Sequence, residues 1–94
     1  MKTKLYKNDL PDGLDLGPIV AIDSETLGLN PIRDRLCLVQ LSSGDGVAHM
    51  VQFTDGKYDA PNLKKLLNDR AVIKLFHYAR FDVAMFRRYL GVIT

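Results

Sequence analysis

The stretch Ile19-Val20-Ala21-Ile22-Asp23-Ser24-Glu25-Thr26 decides how the chain is read. Its first four residues form a largely β-branched apolar run, the composition of a buried strand. The run leads directly into two acids, and Glu25 is the only glutamate in the chain. Strand geometry places residues two apart on one face, so the carboxylates of Asp23 and Glu25 project together, roughly 7 Å apart along the strand. Two acids buried side by side repel each other and lose hydration, which calls for a compensating cation. A divalent metal held by oxygen ligands is the natural one. The alternative ends the strand one residue earlier, with Asp23 or Ser24 capping a helical turn and Glu25 exposed.

Working outward, Thr3 to Lys7 alternates polar and apolar residues like a short strand, and Asp9-Leu10-Pro11-Asp12-Gly13 and Gly17-Pro18 punctuate a loop. Downstream, Leu36 to Ser42 and Val47 to Phe53 read as a hairpin turned at Ser43-Gly44-Asp45-Gly46. Pro61-Asn62 opens a helix whose Leu63, Leu66 and Leu67 share a face. Ala71 to Phe76 is another short strand, and Phe81 to Leu90 is dense enough in apolar residues for a helix packed on a sheet, with Arg87 and Arg88 near its C-terminal end. The order is four strands, helix, strand, helix: an antiparallel hairpin feeding an α/β unit. Asp82 falls in the first turn of the last helix. If neighbouring strands end at one rim, that turn meets the end of the Asp23 strand. The alternative for Asp82 is an acid stabilised only by the helix dipole.

Composition bounds the function. Ninety-four residues allow one domain at most, and such a chain buries a smaller share of its surface than a domain of typical size. An apolar share of 47% with 26% charged residues excludes a disordered or fibrous chain. A net charge of +2 neither announces nor excludes a nucleic-acid partner. Cys37 is the sole cysteine and sits in the apolar run Leu36-Cys37-Leu38-Val39, which suits a reduced thiol and a cytoplasmic location. No secretory leader follows Met1 and no apolar stretch approaches the roughly 20 residues that span a bilayer, so no membrane partner is expected.

Taken together, Ala21-Ile22-Asp23-Ser24-Glu25-Thr26-Leu27-Gly28-Leu29 resembles the first motif of the DEDD exonucleases, and Leu75-Phe76-His77-Tyr78-Ala79-Arg80-Phe81-Asp82 resembles the second. The segment from Pro31 to Gly46, with Ala60-Pro61-Asn62-Leu63, is similar to the nano-RNase C branch of the ribonuclease D-like group. The resemblance implies an α/β, RNase H-like (DnaQ-like exonuclease) fold: a mixed sheet with flanking helices, here cut off after the second motif. Residues 1–94 are then the N-terminal portion of a single 3′–5′ exonuclease domain. It further implies hydrolysis of the 3′-terminal phosphodiester of short RNA, with release of nucleoside monophosphates and two Mg²⁺ or Mn²⁺ ions about 4 Å apart. Asp23 would bridge both ions, Glu25 would serve the ion nearer the attacking water, and Asp82 would serve the leaving-group ion, directly or through water.

The same resemblance makes Leu29 an apolar wedge between the last two bases. His77 is a candidate to stack on or hydrogen-bond a terminal nucleotide, Arg80, which adjoins Asp82, is a candidate to hold a phosphate, and Thr26 is a further candidate substrate contact. For Leu29, His77 and Arg80 there is a plainer alternative: a core leucine, a packed histidine, a solvated surface charge. Arg33 and Arg35 are weaker phosphate candidates, and His49 and Tyr58 are assigned to packing. His77 and Asp82 also have the His-x4-Asp spacing of one version of the third motif, but the preceding strand and the Phe81-Asp82 junction assign them to the second. The family's third motif, a Tyr four residues before a final Asp, has no match, because Ile93 stands four residues after Tyr89. The expected partners are therefore a short single-stranded RNA or oligonucleotide 3′ end, together with either further copies of the chain or a missing C-terminal half. Two rivals remain: a catalytically incomplete remnant or binding module of the same fold, and a different nuclease or transferase built on it.

Overall fold

The computed structural model describes residues 2–26, 36–54, 58–76 and 79–92. In chain order they form β1 (Lys2–Lys7), β2 (Ile19–Thr26), β3 (Leu36–Ser42), β4 (Val47–Gln52), α1 (Pro61–Asn68), β5 (Ile73–Phe76) and α2 (Ala79–Met85). This is the expected order. The last strand begins two residues later than Ala71, and the last helix starts at Ala79 and continues as a π-helical segment over Phe86–Leu90.

The strands make one five-stranded sheet in the order β1-β4-β3-β2-β5. β2 pairs antiparallel with β3 and parallel with β5, while β1 joins the far side parallel to β4, so the sheet is mixed. Register sorts the side chains. Ile22 lies opposite Leu41 and Ser24 opposite Val39, and Val39 in turn lies opposite Val51. These positions share one face, and Val20, Ile22, Val39, Leu41 and Val51 are buried there with Leu63 and Leu67 of α1 and with Met85, Phe86 and Leu90. Both helices thus cover the same face of the sheet.

The two helices are terminated differently. Ala60, which precedes α1, offers no side-chain cap. The carboxylate of Asp9 substitutes, accepting the backbone N–H of Asn62 at 3.1 Å and of Leu63 at 2.9 Å, donors that a helix start leaves unsatisfied. The Asn62 amide returns the contact by donating to the Leu10 carbonyl at 2.9 Å and to Asp12 at 2.7 Å. The segment read as loop punctuation is therefore a clamp, with Leu10 and Leu16 in the core. After Leu90, Gly91 takes a left-handed φ of 68° and donates its N–H to the Phe86 carbonyl, a helix stop that favours glycine.

His49 and Tyr58 are structural, as expected. His49 is buried and shares a 2.9 Å hydrogen bond through Nδ1 with the Tyr6 hydroxyl, which fastens β1 to β4. The Tyr58 hydroxyl donates to the Leu36 carbonyl at 2.8 Å, and its ring packs between Phe53 and Tyr89.

Candidate active site

β2 runs through Asp23, Ser24 and Glu25 to Thr26, so the acids lie inside a strand and the helix-cap alternative falls. Along it Val20 and Ile22 are buried, whereas Ala21, Asp23 and Glu25 are exposed. This is the period-two pattern, and it places both carboxylates on one face. Their burial, however, was expected and is not observed. The physical reason is that the helices cover only the opposite face, leaving the β2–β5 region of this one open: Ile19, Ile73 and Leu75 are 49%, 57% and 54% exposed. The need for a cation to offset lost hydration therefore does not arise in the chain as it stands.

Cross-strand pairing sets the neighbours of these acids. Asp23 lies opposite Gln40, and with Ala21, Ser42, Leu75 and Phe76 the two line a shallow depression. Glu25 lies opposite Leu38, and the register then shifts between Glu25 and Thr26, which pairs with Leu36. An irregularity of this kind bends a strand and re-aims its last side chains, and such features gather beside active sites. The Asp23 carboxylate accepts the Ser24 backbone N–H at 2.9 Å through Oδ1.

Asp82 occupies the first turn of α2, as expected, and is only 1% exposed, so it is more than an acid near a helix dipole. Its Oδ1 accepts a hydrogen bond from the Ser24 hydroxyl, which ties the start of α2 to the end of β2. All three acids thus come to the C-terminal end of β2, two on its open face and one through Ser24. Among the described residues no three His, Cys, Asp or Glu side chains are gathered closely enough to hold a metal.

Leu29, His77, Arg33 and Arg35 lie outside the described residues. Thr26 is placed as the last residue of β2 and Arg80 within α2, in backbone only. Sequence reasoning missed Ser24 and Gln40. Ser24 was masked by its neighbours, being weighed only as a cap; Gln40 was legible in principle, since a polar residue inside the apolar run of β3 signals a face that is not core.

A family model described as 3′-5′ exonuclease matches residues 6–94. NrnC from Brucella melitensis with bound Mg²⁺ superposes with a TM-score of 0.93 at 50% identity, covering 99% of this chain and 47% of that one. The same protein bound to pGG also gives 0.93 at 50% identity, over 99% and 46%. Ribonuclease D of Gluconacetobacter diazotrophicus is 39% identical over 74 residues, which are 79% of this chain and 19% of that protein. The chain therefore spans about half the length of the NrnC structures and a fifth of this curated relative. The fold is that of the DnaQ-like exonucleases, and the chain belongs to the ribonuclease D-like 3′–5′ exonuclease family.

Proposed function

We propose that this chain carries the first two motifs of a two-metal 3′–5′ exoribonuclease that releases nucleoside monophosphates from the 3′ ends of short RNA. The observation that supports it most is the joint presentation of Asp23 and Glu25 on the open face of β2, with Asp82 held to the Ser24 between them. Carboxylates are hard, anionic oxygen donors and fit Mg²⁺ or Mn²⁺. The related NrnC has been solved with bound Mg²⁺, which favours the same use here. Asp23, Glu25 and Asp82 would hold the ions, which when bound supply charge stabilisation for an in-line displacement at phosphorus. The chain's own residues position the substrate: Leu29 wedges between the last two bases, and Thr26, His77 and Arg80 contact the terminal nucleotide. That NrnC binds pGG favours a short oligonucleotide as the substrate. No helix among the described residues is long and apolar enough to cross a membrane. The sole cysteine, Cys37, in an apolar run supports a cytoplasmic setting for the reaction on this reading.

The fourth acid and the tyrosine of the third motif come, on this reading, from a C-terminal half. Such a C-terminal half would also cover the open strip formed by Ile73 and Leu75 on the edge strand β5 and Ile19 beside them on β2. One observation favours a second reading, a binding module without turnover: the absence of a three-acid cluster among the described residues. The test is trimming of a 5′-labelled short RNA in Mg²⁺ or Mn²⁺. Met1–Thr94 alone is expected to be nearly inactive, since general acid–base help alone is typically worth about 10²–10⁴-fold. A C-terminal half, fused or in trans, is expected to restore stepwise 3′ shortening. Robust trimming by the 94-residue chain that Asp82→Ala abolishes would show that another residue or a neighbouring copy supplies the fourth ligand, and would refute the requirement for a C-terminal half. No trimming in either format would favour the binding module.

A further inference from the structure

Ser24 stands between the two acids of β2, and strand alternation sends its side chain to the face opposite theirs, where Val20 and Ile22 are buried. There its hydroxyl donates to Oδ1 of Asp82, 58 positions further along the chain. Its backbone N–H donates to Oδ1 of Asp23 at 2.9 Å. One residue thus touches a carboxylate from each motif, one through its side chain and one through its main chain. We infer that Ser24 is a positioning residue, whose hydroxyl fixes the Asp82 carboxylate relative to Asp23 and so sets the spacing of the metal-holding acids. The inference rests on the metal reading proposed above.

The chemistry is specific to a hydroxyl. Asp82 is almost wholly buried, and a buried carboxylate keeps one orientation only if its oxygens are met by donors. A hydroxyl has one proton to give, and here it is directed at Oδ1. Alanine at position 24 removes the donor; threonine retains it and suits a strand. Groups that orient a metal ligand in this way typically change metal affinity when removed, even though they never touch the ion.

The test is calorimetric titration of the 94-residue chain with Mn²⁺, run on wild type, Ser24→Ala, Ser24→Thr and Ile22→Val. Ile22→Val weakens the same face of the strand without removing a donor and controls for general loosening. Ser24→Ala is expected to lower Mn²⁺ affinity about 10–100-fold, with the other two variants near wild type. A double-mutant cycle of Ser24→Ala with Asp82→Ala, read as urea unfolding midpoints without metal, is expected to be non-additive. Binding by wild type that Ser24→Ala leaves unchanged, or an additive cycle, overturns the inference alone. A wild-type chain that takes up no Mn²⁺ overturns the metal reading and this inference with it.

Discussion

The two faces of β2 divide the work of the chain. On one, Val20 and Ile22 are sealed beneath the helices with Val39, Leu41, Leu63, Leu67 and Phe86; on the other, Ala21, Asp23 and Glu25 stand in the open beside Ile19, Ile73 and Leu75. The covered face gains its stability from apolar area removed from water. The open face contributes little stability and carries the charges. Residues one position apart on the same strand should therefore fail in different ways: a change on the covered face should unfold the chain, and one on the open face should leave it folded but alter what it binds.

The largest effect is expected at Ile22. Truncation to alanine removes buried methylenes between Leu41 and the helices, where close packing leaves little room to collapse, and should cost about 2–5 kcal/mol in urea unfolding. A loss below about 1 kcal/mol would mean that this face is not packed as described. Asp9→Ala comes next. It strips α1 of the carboxylate that caps Asn62 and Leu63 and should cost about 0.5–2 kcal/mol, whereas Asp9→Asn, which keeps an acceptor, should cost less. On the open face, replacing both Ile73 and Leu75 with threonine should change monomer stability by no more than about 0.5 kcal/mol per site. It should nevertheless shift the chain toward monomer in analytical ultracentrifugation, since an apolar strip on an edge strand is what invites self-association. An unchanged distribution would locate the sticky surface elsewhere.

Where neighbouring positions alternate or repeat, the fold was legible in the sequence: the β-branched run of β2, the hairpin of β3 and β4, and the leucine face of α1 all lie where periodicity places them. Contacts between distant segments were not. That β1 pairs with β4, that Asp9 caps a helix more than 50 residues away, and that Ser24 meets Asp82 depend on the closed fold and leave no local pattern. The site shows the same division. Alternation alone puts Asp23 and Glu25 on one face, but whether that face is covered depends on where both helices dock, so their burial was misjudged.

The smallest stability effect, and the most direct test of the divided strand, belongs to Asp23→Asn. The carboxamide keeps the shape of the side chain and an oxygen that can accept the Ser24 backbone N–H, so the local geometry should survive. What changes is charge. Asp23 and Glu25 are exposed on the same face of one strand, and like charges so placed repel; removing one should leave stability within about 0.5 kcal/mol of wild type, or slightly above it. A residue kept in a mildly unfavourable setting and neutral or stabilising when replaced is what a stability–function trade-off predicts. Mn²⁺ uptake should fall in the same variant, because a neutral amide is a poorer partner for a hard cation than a carboxylate. The contrast with Ile22→Ala is then complete, one substitution destabilising the fold and the adjacent one weakening metal uptake. If Asp23→Asn instead costs more than about 1 kcal/mol, well beyond the usual range for an exposed position, the carboxylate is part of the scaffold and the two faces are not separable.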